Sequence, residues 1–196
     1  MLNAACVQLA LWAQDEKTRS LRLAVNISAK QLLKSDFIEC VLRALSLNGA
    51  NPALLSLELT ESMLVENLED VIEKMGELRR HGLHLSLDDF GTGYSSLTYL
   101  KRLPLNELKI DRSFVCDMLL NLRGRAVVET IIHLSSGLGI GVMAEGVETE
   151  EQRAFLAERG CHNYQGFLVS RPIPAEEFKQ FVLAHRSAEE AAFCGA

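Results

Sequence analysis

The chain has no C-x-x-C pair, no block of lysine and arginine, no apolar run near membrane-spanning length and no low-complexity linker. Each absence closes a class of function. The five cysteines, Cys6, Cys40, Cys116, Cys161 and Cys194, are odd in number and scattered, which argues against a disulfide framework and against a zinc site. Most of them read as small buried apolar groups, in a reducing cytoplasm. A net charge of −6 without a basic block argues against general affinity for DNA or RNA. An acidic chain still takes a phosphate ligand when a metal cation stands between the two. No stretch reaches the ~18 apolar residues of a membrane span. The apolar residues 1–12 lack both a basic n-region and a small-residue cleavage site. Leu2, Cys6, Leu9 and Trp12 recur there at helical spacing and predict an amphipathic helix.

What the chain does have is a series of apolar runs that end on residues able to hold a metal or a phosphate. Residues 23–25 run into Asn26, 55–57 into Glu58, and 83–87 into Asp88 and Asp89. Leu108 leads to Lys109 and Ile110 to Asp111; 141–144 lead to Glu145 and 163–164 to Gln165. Helical patterns lie between these runs. Ser35 is placed to cap a helix carrying Phe37, Val41, Leu42 and Leu45 that ends before Gly49. Asn67 is placed to cap a second with Val71, Met75 and Leu78. A short helix begins at Ser95 or Ser96 and stops by Pro104. A longer one spans 123–139, Thr149 and Gln152 form a capping box, and Pro174 opens a last helix.

Strands alternating with helices predict parallel strands with helices outside, and strands buried on both faces account for apolar runs. One carboxylate at a strand end is usually a helix cap. Five or six on one rim make an acidic basin, which fits a β/α barrel better than an open doubly wound sheet with its single switch point. At 196 residues the chain suits one domain, read as residues 1–183 with a C-terminal tail over 184–196. Other suggestive residues are read as structural. The His81-x-x-His84 spacing is incidental, Glu129 and His133 are a surface pair, Trp12 belongs to the core, and Arg79-Arg80 and Arg123-x-Arg125 lie on solvated faces.

In chain order the motifs are Asn26-Ile27-Ser28, Glu58-Leu59-Thr60-Glu61-Ser62, Asp88-Asp89-Phe90-Gly91-Thr92-Gly93-Tyr94-Ser95-Ser96, Lys109-Ile110-Asp111, Ala144-Glu145-Gly146-Val147-Glu148-Thr149 and Gln165-Gly166. This series strongly resembles the EAL family of bacterial phosphodiesterases that act on cyclic di-GMP. The nine-residue stretch from Asp88 is its most specific part. The resemblance implies an α/β, TIM-like barrel of EAL type and a metal-dependent hydrolysis of cyclic di-GMP to linear pGpG. It implies Asn26, Glu58, Asp88 and Asp89 as ligands of two Mg²⁺ or Mn²⁺ ions, Glu145 as general base and Lys109 as a charge for the water or a phosphate oxygen. It also implies that Glu61 steadies the loop of Phe90, Gly91, Thr92 and Gly93, and that Asp111, Gln165 and Glu148 contact substrate or order the site. The donor chemistry agrees: hard divalent cations prefer carboxylate and amide oxygens, and two ions about 3.5–4 Å apart clamp a phosphodiester and lower the pKa of an attacking water.

The Glu-Ala-Leu signature itself does not occur in a matching place. The chain therefore reads as roughly the last three quarters of such a domain, with about six of eight strands, too few to close the barrel. On that reading the strands at 23–26 and 164–168 each have an open edge, and open edges invite pairing. The expectation is altered closure, a homodimer or a domain-swapped dimer, and impaired turnover for want of one metal-ligating glutamate and a phosphate-holding arginine. The alternative expectation is a catalytically inactive module that binds cyclic di-GMP or a protein partner.

Overall fold

The computed structural model describes residues 1–61, 68–92 and 97–194, with side chains as far as residue 185 in the last helix. The expected caps at Asn67 and at Ser95 or Ser96, the motif residues Ser62, Gly93 and Tyr94, and the Cys194 side chain lie outside the described residues.

Six strands form the frame: β1 (Leu23–Ile27), β2 (Leu55–Thr60), β3 (His84–Phe90), β4 (Glu107–Ile110), β5 (Gly141–Glu145) and β6 (Asn163–Gln165). They lie side by side in chain order, and every pair is parallel. An order that never reverses is that of a β/α barrel, not of a doubly wound sheet, which turns back at its switch point. The six strands make the curled half of such a barrel. Among the described residues β1 and β6 each pair on one side only. The last strand is shorter than expected. It stops at Gln165, and the backbone then turns so that the Leu168 N–H donates to the carbonyl of Val147 at 3.0 Å.

The strands alternate in polarity rather than presenting apolar residues on both sides, although Ser56, Ser86 and Lys109 on the polar face are buried as expected. Successive strand side chains point to opposite faces. On the outer face Leu57, Leu59, Leu85, Leu87, Leu108, Ile110 and Ala144 are all 2% exposed or less, covered by the helices. On the inner face stand Ser56, Glu58, His84, Ser86, Asp88, Glu107, Lys109, Glu145 and Gln165. The physical reason is that helices cover only the outside, while the inside surrounds the barrel axis and the site at its rim.

Helix α1 (Leu2–Trp12) buries Ala5, Cys6, Leu9 and Trp12, and the Trp12 ring lies tilted against Phe178, with centroids 5.5 Å apart. Between β1 and β2 come the short α2 (Ala29–Leu32) and then α3 (Phe37–Asn48), which begins after Asp36 rather than Ser35 and ends at Gly49. Helix α4 (Leu68–Arg80) turns Val71, Met75 and Leu78 inward. Its first turn carries Glu69 and Asp70 and its last Arg79 and Arg80, matching the helix dipole at both ends. The short α5 (Leu97–Leu100) precedes β4. Helix α6 (Arg112–Asp117) had no signal in the apolar pattern; Asp111 caps it by accepting from the Ser113 N–H at 3.0 Å. Helix α7 (Leu122–Leu138) is capped by Asn121, whose side-chain Oδ1 accepts from the Gly124 N–H at 2.7 Å. Helix α8 (Glu150–Glu158) opens on the Thr149–Gln152 capping box, and α9 (Ala175–Cys194) follows Pro174.

Three structural expectations change. Among the described cysteines only Cys6 and Cys161 are buried; Cys40 is exposed and Cys116 partly so. Glu129 pairs with Arg159 at 2.6 Å. Arg125 is partly buried over the Phe155 ring at 5.3 Å. Among the described residues no helix is long and apolar enough to cross a membrane.

Candidate active site at the carboxyl ends of the strands

Lys109, near the end of β4, is 3% exposed. A buried ammonium is costly unless paired, and here three strands supply partners. Its Nζ lies 2.9 Å from Glu58 Oε1 on β2, 3.2 Å from Asp88 Oδ1 on β3 and 2.5 Å from Glu145 Oε1 on β5. Burial alone would lower the Lys109 pKa. The hydrogen bonds to Glu145 and Glu58, and their charges, outweigh burial and hold it above its ordinary value. Lys109 is thus a fixed cation. Glu145 moves upward as well, because burial and the neighbouring Asp88 and Glu58 outweigh the pull of Lys109. On β6, beside Glu145, the Gln165 Nε2 donates to Glu145 Oε1 at 2.7 Å.

Asp88 and Asp89 are successive residues, so regular alternation would send them to opposite faces. The register explains why both serve one site. Leu87 pairs with Leu108 but Phe90 with Ile110, so β3 holds one residue more than β4 across this step. That is a β-bulge. Asp89 takes it up with φ +54°, the one non-glycine with positive φ among the described residues. Its amide donates back to Asp88 Oδ1 at 3.1 Å. Strain of this kind costs roughly 1–3 kcal/mol and collects at functional sites. The bulge brings one oxygen each from Asp88, Asp89 and Glu145 within 4.8 Å of one another. Burial first, then Asp88 and Asp111, raise the Asp89 pKa.

Around this centre the other expected residues take several positions. Glu61, 4% exposed, accepts from the Gly91 N–H at 3.0 Å and so ties the end of β2 to the loop after Phe90. That loop turns at Gly91, whose φ of +99° suits glycine. The Thr92 hydroxyl donates to the Asp89 carbonyl at 2.9 Å. Asn26 is exposed and lies directly across from Glu58 in the β1–β2 register. Asp111 faces Asp89 while capping α6. Glu148 pairs with Arg112 at 2.8 Å.

From Glu145 and Gln165 a groove of about 590 Å³ continues past Arg112, Glu148, Phe167 and Arg171. Pattern reading missed Arg112, Phe167 and Arg171. Their one sequence signal is an aromatic and an arginine following closely on the strand-end Gln165-Gly166.

The donor set suits a hard cation. All the converging oxygens are carboxylate oxygens, the ligands Mg²⁺, Mn²⁺ and Ca²⁺ accept. The same carboxylates already hold a positive charge, that of Lys109.

Parallel strands in barrel order with an acidic centre at their carboxyl ends define a barrel-type enzyme fold with its site at the rim. The profile of the EAL domain matches residues 1–172, and the chain belongs to that family. It is 42% identical over 177 residues to the bifunctional diguanylate cyclase/cyclic di-GMP phosphodiesterase MucR of Pseudomonas aeruginosa, covering 90% of this chain and 26% of MucR. It is 45% identical over 166 residues to the cyclic di-GMP phosphodiesterase NbdA of the same organism, covering 85% of this chain and 21% of NbdA. The chain thus spans about a quarter of the length of these relatives. The solved MucR phosphodiesterase in complex with cyclic di-GMP superposes with a TM-score of 0.86, covering 90% of this chain and 71% of that one. Klebsiella pneumoniae BlrP1, solved with manganese and cyclic di-GMP, gives 0.76 at 30% identity over 87% of this chain and 42% of that one.

Proposed function

We propose that this chain forms the site of a metal-dependent phosphodiesterase domain that opens cyclic di-GMP to linear pGpG. The observation that carries the reading is the convergence of Glu58, Asp88 and Glu145, from three strands, on the buried Lys109. Relatives named as cyclic di-GMP phosphodiesterases share the chain's sequence at 42–45% identity.

Each residue has a role that its position supports. Asn26, Glu58, Asp88 and Asp89 would hold two ions, Mg²⁺ or Mn²⁺. When bound, such ions polarise a phosphoryl oxygen and lower the pKa of a water. Glu145 takes the proton of the attacking water; its raised pKa makes it a better base than an exposed carboxylate. Gln165 fixes the rotamer of Glu145 through its amide. Lys109 stays charged throughout, so it stabilises negative charge at phosphate and does not shuttle protons. Glu61 holds the Gly91 loop in place. Asp111 and Glu148 order the neighbouring backbone and Arg112.

The test is chromatography of cyclic di-GMP incubated with the protein and Mn²⁺, beside a Glu145→Ala variant. Linear pGpG from the parent, with a rate about 10²–10⁴-fold lower in the variant, is the expected result. No product from either protein, together with metal-independent binding of cyclic di-GMP, would make the chain a binding module instead.

A further inference from the structure

Gln152 makes more bonds than a helix cap needs. Its backbone N–H donates to Thr149 Oγ1 at 3.2 Å and its Oε1 accepts from the Thr149 N–H at 3.1 Å, which completes the capping box. The same Oε1 also accepts from the Glu148 N–H at 2.8 Å, and the Nε2 reaches across to the Val115 carbonyl, donating to it at 3.3 Å. The residue is 8% exposed, so a group left without its partner there stays desolvated. Val115 belongs to the last turn of α6, where carbonyls lack donors from their own helix. With six residues, α6 is too short to hold itself. Its other end is tied to the same segment as its last turn. Arg112, its first residue, pairs with Glu148 at 2.8 Å, and the Arg112 stem crosses over Gly146, where any Cβ would run into it.

These contacts close a ring. Gln152 holds the Glu148 backbone, the Glu148 carboxylate holds Arg112, and α6 leads from Arg112 to Val115 and so back to Gln152. The ring joins the two rim segments that follow β4 and β5. One begins just after Lys109 and carries Asp111; the other begins at Glu145. Lys109 and Glu145 meet directly, so a shift of either segment turns the base away from the reacting centre. We propose that Gln152 is a positioning residue of the phosphodiesterase centre: through Val115 and Glu148 it locks α6 to the segment after β5 and so fixes Glu145 against Lys109 and Asp111. Gln152 itself does not line the groove. The role rests on the phosphodiesterase reading above.

Two variants separate positioning from capping. Gln152→Glu keeps an acceptor for the Glu148 and Thr149 amides, and glutamate serves a capping box as glutamine does; what it loses is the Nε2 donor to Val115. Thr149→Ala does the reverse, removing the cap oxygen and leaving the Val115 bond. With cyclic di-GMP and Mn²⁺, Gln152→Glu is expected to lower kcat by about 10- to 100-fold with KM unchanged, while Thr149→Ala hydrolyses at the parent's rate per folded molecule. In hydrogen exchange the amides of residues 112–117 should open about 5- to 150-fold more often in Gln152→Glu and as in the parent in Thr149→Ala. If Gln152→Glu does not fold, Gln152→Met, which adds no charge, takes its place beside Thr149→Ala with the same expectations. An unchanged kcat in the Gln152 variant, an equal loss in both variants, or unaltered exchange over 112–117 would overturn the positioning role and leave the phosphodiesterase reading intact. A parent protein that hydrolyses no cyclic di-GMP would overturn both.

Discussion

The two faces of the six-stranded sheet come from the same residues in alternation, yet they solve different problems. The outer face carries Leu57, Leu85, Leu87 and Leu108, each 1% exposed or less, and its only requirement is shape. The inner face carries Lys109 and its three carboxylates, where shape matters less than charge balance. The outer face is held by apolar burial, which titrates no group and binds no ion. The inner face holds charges in partial burial, so it responds to both. One sheet therefore separates the part that keeps the protein folded from the part that can do chemistry.

Removing the cation tests this division most severely. Lys109→Met leaves Glu58, Asp88 and Glu145 facing one another and should cost about 3–5 kcal/mol of stability, along with hydrolysis. Urea titrations in EDTA measure the loss, and Mn²⁺ should recover more stability in this variant than in the parent. A cost under about 1 kcal/mol would mean that the carboxylates relieve themselves by taking up protons.

The matching change on the outer face, Leu85→Ala, should cost about 2–5 kcal/mol. Hydrolysis per folded molecule should stay at the parent's level, and Mn²⁺ should rescue no more stability than in the parent. Loss of activity at full folding would show that the two faces are mechanically coupled.

A smaller effect of opposite sign is expected at the bulge. Asp89→Gly relieves the positive φ and the repulsion from Asp88 and Asp111. The gain, after glycine's entropic cost, should be about 1 kcal/mol, or roughly 2–4 °C in melting temperature. Hydrolysis should collapse in the same variant. A melting temperature that falls would show that the Asp89 side chain supports the turn more than its backbone opposes it.

At neutral pH the smallest effect lies at the amino end of the inner face. His84 bonds Ser56 at 3.0 Å, and burial, with some help from Arg22, lowers its pKa from 6.5 to about 4. Between those values the unfolded chain binds the extra proton and the folded chain does not. Stability from this group is therefore full above pH 6.5 and declines as the pH falls toward 4. His84→Gln should flatten that part of the pH dependence of the melting temperature. If parent and variant lose stability in parallel, the acid sensitivity resides in the carboxylates at the other end.

Much of this was legible in the sequence, for a physical reason. Each strand carries a site residue at its carboxyl end or within two residues of it, so Glu58, Lys109, Glu145 and Gln165 mark both the strand and the site. The helices were equally plain where apolar spacing and caps agreed, as with Thr149 and Gln152. The bulge was harder, although its trace is there: Leu83, Leu85 and Leu87 keep period two and Phe90 breaks it. Helix α6 gave no clear signal because one turn and a half of helix cannot establish a periodicity. The groove was barely legible. Phe167 and Arg171 lie four residues apart after Gln165-Gly166, but Arg112 comes from the start of α6, and only the tertiary fold places two guanidinium groups over one ring.

The strictly sequential strand order has a consequence for how the molecule is made. Among the described residues every strand pairs only with its neighbours in the chain, so each new strand leaving the ribosome has its earlier partner already made. Glu58 and Glu145 are 87 residues apart, and at about 5–20 residues per second several seconds separate their synthesis. During that interval the first carboxylates are without the last of their partners. The strand order permits the buried ion cluster to close one strand at a time rather than all at once.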